Sequence, residues 1–334
     1  MELDFAQSLL SNFGLKESIV SFKRVESGLI NSTFVLNSKT SSYILQAINT
    51  NIFPDYEKGL ENILTVGNWL KKKNYPYSFP LPIKSKYLKV KNAVWRLMPY
   101  VKNSVSYSQV PSLYHVKSAA NCLGEFYHHL SDFNSESLSI TLPNFHHGNW
   151  ITKKFEEAVF NGDKERLFST KVLISEIEKK LPVLKKWDEV CDTIPKRVVH
   201  YDTKINNFLF DKKTEEVLAL IDFDTIMPGC VLSDIGDMIR TYSNPVGEES
   251  KEIEKVICNV GIINTIIKEF TKKVDLEKKE KESLFFGGMA ITLMQCVRFL
   301  TDYLNGDSYY KTSYKDQNLV RAKNQWALCK SLKN

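Results

Sequence analysis

The sequence predicts an α+β fold in two unequal parts, and three observations carry that prediction. Strand-like runs dominate from about residue 17 to 101, helical apolar periods take over after residue 110, and a short β island interrupts the helices between 197 and 224. The chain has 334 residues, which exceeds one typical domain and suits two lobes, here 1–101 and 102–334.

The first segment, "MELDFAQSLLSNFG", reads as an ordinary helix: it carries acids early and has neither a basic n-region nor a small-residue cleavage site. "SIVSFKRV", "STFVLNS", "SYILQAI" and "LKVKNAVWRLMPYV" follow as strands. Between the third and fourth, "DYEKGLENILTVGNWLKKKN" places Leu60, Ile63, Leu64 and Leu70 on one helical stripe with a basic C-terminal end. Across "YHVKSAANCLGEFYHHL", Val116, Ala120, Leu123, Tyr127 and Leu130 repeat at helical spacing. Further helices are expected at about 152–190, 250–273, 282–305 and 315–332, with "RVVH", "FLFD" and "EVLALIDFD" as the β island. No internal repeat, low-complexity tract or long linker interrupts this order.

Composition excludes several classes. A 43 % hydrophobic and 25 % charged chain is ordinary for a globular protein, and no apolar run approaches the ~20 residues of a membrane span. Cys122, Cys191, Cys230, Cys258, Cys296 and Cys329 are scattered, without a Cys-x-x-Cys pair, which argues against a zinc site or disulfide framework and for reduced thiols in the cytoplasm. The net charge of +6 arises from mixed runs such as "KKVDLEKKEKE", a solvated face with no nucleic acid or membrane as partner. An anionic small substrate would suit that balance, but the balance does not identify one.

The densest polar stretch is "HYDTKINNFLFD", residues 200–211, between two apolar runs. His200, Asp202, Lys204 and Asn207 follow at steps of two, two and three, and a later β run ends in Asp222. Phosphoryl transfer from a magnesium nucleotide asks for these residue types at these spacings. One carboxylate, Asp202, orients an attacking hydroxyl and accepts its proton, while an amide oxygen (Asn207) and a second carboxylate (Asp222) hold hard Mg²⁺. Lys204, beside Asp202, can neutralise charge on the transferring group. The step from Asp202 to Asn207 matches the kinase catalytic loop, and "IDFD" stands where kinases carry Asp-Phe-Gly.

At these residues the chain resembles the aminoglycoside phosphotransferase-like, or choline-kinase-like, branch of the protein kinase-like fold, and within it the N-acetylhexosamine 1-kinases. The resemblance covers nearly the whole chain, through "GLINSTFVL", "YILQAINTNIFPD", "LENI", "PNFHH", "HYDTKINNFLFD", "VLALIDFDTIMPG", "SDIGDMIR" and "RFLTDYLNGDSYY". "INTNIFPD" and "RFLTDYLNGDSYY" are the stretches more distinctive of the hexosamine kinases. The resemblance implies an antiparallel-sheet N-lobe that binds ATP and a mostly helical C-lobe with the catalytic loop. It also implies ATP and Mg²⁺ as cofactors and a free N-acetylhexosamine, phosphorylated at its anomeric hydroxyl, as substrate. It puts Arg298, Tyr309 and Asp224 with Asp202 on the substrate side.

The nucleotide pocket can then be placed. "ESGLINSTFVL" lies between two β runs, as a phosphate-covering turn should: the small residues Ser27, Gly28, Ser32 and Thr33 could let backbone N–H groups approach phosphate oxygens, and Asn31 in the same turn is expected on the nucleotide side. Its lone glycine lacks the Gly-x-Gly repeat of protein kinases, so a plain hairpin turn remains the alternative. "LMPYV" falls where a hinge between lobes belongs: Pro99 offers a carbonyl and, two residues on, Val101 an N–H to an adenine, with Met98 beside them in the same hinge and an ordinary Pro-terminated edge strand as the alternative. Gln46 occupies the place of the usual phosphate-gripping lysine, and Glu61 would be its acidic partner on the helix. Either this neutral pair still positions the phosphates or catalysis has been lost, and the intact Asp202, Lys204, Asn207 and Asp222 favour the first.

Other residues have plainer readings. His128 and His129 are adjacent on a helix, point about 100° apart and so do not share one ion. His146 and His147 are either structural or near the sugar. Asp234 and Asp237 are expected to cap a helix and brace the catalytic loop. For Arg298 the alternative to a sugar contact is an i+4 ion pair with Asp302.

Overall fold

Alternating side chains in the first third of the chain close into an antiparallel sheet. The computed structural model describes residues 2–25 and 30–333. Helix α1 (Leu3–Asn12) leads into β1 (Ile19–Val25), β2 (Ser32–Ser38) and β3 (Ser42–Ile48), then helix α2 (Tyr56–Lys72) and strands β4 (Leu88–Val90) and β5 (Ala93–Pro99). The order across the sheet is β1-β2-β3-β5-β4, every neighbour antiparallel. Phe34, Leu36, Leu45, Trp95 and Leu97 pack on Ala6, Leu9 and Leu10 of α1 and on Phe13 just after it. Because strand side chains alternate faces, Gln46 and Arg96, directly opposite each other in the β3–β5 register, turn the other way.

The remainder is mostly helical. After β6 (Ser104–Val105) come α3 (Leu113–His129), α4 (Gly148–Asn161), α5 (Lys164–Glu178) and α6 (Pro182–Cys191). The β island holds β7 (Arg197–Val199), β8 (Phe208–Asp211), β9 (Val217–Leu220) and β10 (Met227–Gly229), followed by α7 (Leu232–Tyr242), α8 (Val260–Thr271), α9 (Lys278–Leu304) and α10 (Gln317–Ser331). β10 pairs with β7, and β6-β8-β9 form a second small sheet. The single helical stretch expected at 152–190 is broken into three by Gly162 with the Asp163 cap, and by Pro182 at the first turn of α6. The helix expected from 250 starts only at Val260, where the Asn259 side chain accepts from the Ile262 N–H.

The body has its own core, separate from that of the sheet. α2 belongs to it: Ile63, Val66 and Leu70 pack into the larger core while Leu60 and Leu64 are only half-buried, so the buried stripe is rotated from the one the sequence predicts. At the centre of the body runs α9, flanked by α4, α7 and α10. By length and composition it is apolar enough to cross a membrane, contrary to the expectation from the sequence that no run is, but 67 % of its most apolar window is buried among these neighbours. All six cysteines are free.

Contact between α7 and α9 requires glycine. A methyl group at Gly236 would lie 2.6 Å from the carbonyl oxygen of Gly287 and 2.6 Å from Cγ1 of Ile291. Gly236→Ala is therefore expected to lower stability by about 1–3 kcal/mol, the usual cost of overpacking a core. Urea unfolding monitored by circular dichroism checks this, and an unchanged midpoint would show that the two helices separate without cost.

Candidate active site

Leaving β7, the chain makes an irregular loop through His200 to Asn207 whose shape is set from below by α7. The Asp234 carboxylate, in the first turn of that helix, accepts the backbone N–H groups of His200 (2.9 Å) and Tyr201 (2.7 Å) and the Tyr127 hydroxyl (2.8 Å). These bonds hold Tyr201 at φ 69°, in the left-handed region that a side chain of its size avoids. Thr203 Oγ1 donates to the Asp234 carbonyl at 2.6 Å, and Thr225 Oγ1 to that of His200 at 2.5 Å. His200 is buried, and burial lowers its tendency to protonate. Its Nδ1 accepts the Asp202 N–H at 3.2 Å, so its Nε2 carries the proton and donates to the Ile221 carbonyl at 2.9 Å. Asp234 thus braces the loop as the sequence suggests, whereas Asp237 turns to Arg240, at 2.8 and 3.0 Å.

The loop brings its charged residues together. Lys204 Nζ lies 2.9 Å from Asp202 Oδ2, and Asn207 Nδ2 donates to the carboxylate (2.9 Å) and carbonyl (2.8 Å) of the same aspartate. Burial works against ionising Asp202, but Lys204, His200 and Asn207 outweigh it and hold the carboxyl below the usual range. Asp222 stands across from this pair in left-handed backbone (φ 68°, ψ 58°), its side chain 39 % exposed to the cleft. Desolvation, then Asp224 and Asp202, push its carboxyl up to about 6.

That cluster suits a hard cation. Asn207 has given its amide hydrogens to Asp202, which leaves its carbonyl oxygen without a donor among the described residues, and the Asp222 carboxylate has no closer ion pair among them than Arg96 at 3.9 Å, with Lys204 also acting on it. The ligands on offer are oxygens, as Mg²⁺ prefers. Among the described residues no three His, Cys, Asp or Glu side chains form a cage, so phosphate oxygens and water would complete the shell.

On the nucleotide side the arrangement differs from expectation. Ser27 and Gly28 lie outside the described residues. Asn31 is occupied structurally: its Nδ2 donates to Asp224 Oδ2 at 2.7 Å and its Oδ1 accepts the Asn49 N–H at 2.9 Å. Gln46 donates to Thr33 Oγ1 at 3.0 Å and accepts from Arg96 Nε at 2.7 Å, while Glu61 is exposed on α2. Glu61 is therefore not the partner of Gln46. Arg96 takes that place because β5 lies beside β3 and its buried guanidinium needs acceptors. Asp224, expected near the substrate, is committed to the sheet, held by both terminal nitrogens of Arg96 and by Asn31. Nothing in the sequence singled out Arg96, although a charged residue between Trp95 and Leu97 in an apolar strand is a signal of a buried ion pair. Met98 and Pro99 end the β3–β5 ladder opposite Ile44 and Tyr43. The Val101 N–H meets no acceptor among the described residues, while its carbonyl accepts from Ser104 Oγ at 2.6 Å.

On the opposite side, α9 ends and the chain turns back at Gly306 (φ 88°) and Asp307 (φ 59°). Asp302 accepts the backbone N–H groups of Tyr309 (2.8 Å) and Tyr310 (2.9 Å) and the Asn318 amide (2.9 Å). It is not paired with Arg298. The Arg298 guanidinium instead lies over Phe145 at 4.8 Å from the ring centroid, with Tyr310 at 5.8 Å and Tyr309 at 5.9 Å, and has no carboxylate partner among the described residues. His146 stacks on Phe145 (4.8 Å, 12° between planes) and meets Tyr201 edge-on at 5.2 Å. Burial and then the charges of Arg298 and Arg240 keep its imidazole neutral, and its buried Nδ1 has no partner among the described residues. His147 is structural, capping α4 by accepting the Trp150 N–H at 3.3 Å. His129 bonds its own helix through the Glu125 carbonyl at 2.8 Å.

Known proteins share this fold. A spectinomycin phosphotransferase solved with ADP and spectinomycin superposes with a TM-score of 0.62 at 11 % identity, over 98 % of this chain and 96 % of its own. A microcompartment-associated aminopropanol kinase gives 0.62 at 12 % identity, over 98 % and 95 %. The choline kinase LicA of Streptococcus pneumoniae gives 0.58 at 13 %, over 98 % of each chain. At these identities the likeness is one of fold, the protein kinase-like fold. Residues 21–254 match the phosphotransferase enzyme family directly, and the chain belongs to that family.

Proposed function

We propose that this phosphotransferase moves the terminal phosphoryl group of ATP to the anomeric hydroxyl of a free N-acetylhexosamine, giving the 1-phosphate. The kinase side of the reading rests on Asp202, Lys204, Asn207 and Asp222 gathered in one cleft. The sugar side rests on Arg298, a cation with no carboxylate partner among the described residues, fenced by Phe145, Tyr309 and Tyr310. A guanidinium presents fixed donors to hydroxyl and carbonyl oxygens, and aromatic faces suit the apolar side of a pyranose ring. The same cation would repel the ammonium groups of choline, an amino alcohol or an aminoglycoside, the acceptors that relatives of this fold are named for.

In this reading residues 1–101 carry the nucleotide and 102–334 the catalytic loop and sugar. Met98, Pro99 and Val101 face the adenine. Asp202 accepts a hydrogen bond from the sugar hydroxyl and aligns it with the phosphorus. Its carboxyl is held low, so it takes the proton late, once the oxygen has begun to bond to phosphorus and has become acidic. Lys204 keeps Asp202 ionised and lends positive charge to the transferring group. Asn207 and Asp222 would hold Mg²⁺, which neutralises phosphate charge when bound. The oxygen of the β–γ bridge leaves with ADP.

Asp202→Asn is expected to fold and bind MgATP but to lose at least about two orders of magnitude in turnover. Purified variant assayed by coupled ADP release checks this, and near-normal turnover would remove Asp202 from the chemistry.

Arg298→Ala is expected to raise the KM for GlcNAc at least tenfold, about 1.4 kcal/mol, with unchanged affinity for ATP. A screen of N-acetylhexosamines, plain hexoses, choline and aminoglycosides is the wider check. Turnover of choline but no sugar would reject the substrate class and keep the kinase. ATP binding without ADP release on any acceptor would point instead to a catalytically silent nucleotide-binding scaffold.

Protons should compete with magnesium at Asp222. Its carboxyl is ionised above about pH 6 and takes up a proton below it. The magnesium-dependent part of the ATP-induced rise in melting temperature should therefore be full above pH 7 and fade towards pH 5. In Asp222→Ala it should be absent at every pH, and a full metal-dependent shift in that variant would exclude Asp222 as a ligand.

A further inference from the structure

Arg96 is 2 % exposed, in the middle of an apolar strand. A guanidinium is expensive to bury, and such a residue persists where its donors are satisfied and its charge is met. Its Nε donates to Gln46 Oε1 (2.7 Å), Nη1 to Asp224 Oδ1 and to Tyr87 Oη (3.2 Å), and Nη2 to Asp224 Oδ2 (2.9 Å). Asp222 Oδ1 lies 3.9 Å from Nη2. The guanidinium thus stands between the two carboxylates of the Asp222–Asp224 turn.

Gln46 explains why the cation is on β5. It faces Arg96 directly across the ladder, where its neutral carbonyl accepts the Nε–H. A lysine at position 46 would set two positive charges side by side on one face, a destabilising cross-strand pair. Positions 46 and 96 therefore carry one cation between them. Kinase-fold enzymes commonly draw such a charge from a strand lysine beside the phosphates.

We propose that Arg96 is a positioning residue for the nucleotide side of the site, holding the Asp222 turn to the sheet through Asp224 and supplying there the positive charge that Gln46 does not. This rests on the kinase reading above. By gripping Asp224 with both nitrogens, as Asn31 does with a third bond, Arg96 makes the sheet and the turn carrying Asp222 one rigid unit. It also offsets one of three neighbouring carboxylates, so that Asp222 meets the cation and phosphates in a fixed orientation.

The test is a neutral replacement of the pair, because Arg96→Gln alone leaves Asp224 buried and unpaired and risks misfolding. Arg96→Gln/Asp224→Asn keeps hydrogen-bonding side chains at both positions and removes both charges. Its melting temperature without nucleotide should stay close to that of the wild type. The rise in melting temperature on adding MgATP should fall by at least half, and the KM for ATP should rise about tenfold or more, with the KM for GlcNAc unchanged. Arg96→Lys, which keeps the charge but loses the fork, should fall between the wild type and the neutral pair. A neutral pair with wild-type MgATP shift and KM would overturn the proposal and leave Arg96 a structural clamp, as would equal rises in both KM values. A wild-type protein that shows no shift with ATP or ADP would instead overturn the kinase reading itself.

Discussion

One carboxylate underlies the geometry of the whole cleft. Asp234 projects from the first turn of α7 and accepts two consecutive backbone N–H groups of the 200–207 loop. Without it, Tyr201 would have no reason to keep a left-handed backbone, and Asp202, the next residue, would lose its aim. α7 is itself fixed by its glycine-mediated contact with α9, the central helix of the body. Positional accuracy therefore runs from the core through a buried acid to the reacting groups, which is how a loop acquires the precision of a helix.

Two cations divide the labour in the cleft. Lys204 serves the loop and Arg96 the sheet, and Asp202, Asp222 and Asp224 lie between them. Such a cluster would repel itself if it were only acidic and would be inert if it were fully paired. Here Asp224 is fully engaged, Asp202 is held ionised, and Asp222, on a left-handed backbone, retains a half-open carboxylate. In the proposed reading, the last is the one left for a metal.

Much of this was legible in the sequence because it is local. The Asp202-to-Asn207 spacing, the strand ending in Asp222 and the helical periods each depend on neighbours within a few residues. The turn returning Tyr309 and Tyr310 towards Arg298 was legible for the same reason, since Asp302 lies only seven and eight residues earlier. Contacts across the fold were hidden. Arg96 meets Asp224 over 128 residues, and Asn31 meets it over 193, so neither Glu61's absence from the site nor the engagement of Asp224 had a local signature. The break of one expected helix into α4, α5 and α6 was marked by Gly162 and Pro182, residues that end and begin helices.

The unequal size of the two largest hydrophobic cores has a consequence for motion. The sheet packs on α1 with a small set of buried side chains, whereas the body buries several times as many, including the inner face of α2. Local opening free energy scales with the contacts that must be broken, so the sheet forms the weaker cooperative unit. Its amides would exchange with solvent before those of α7 and α9. In the proposed reading, the same difference would let the sheet yield during nucleotide entry and product departure while the acceptor side keeps its shape, which would separate the timing of exchange from the selection of the acceptor.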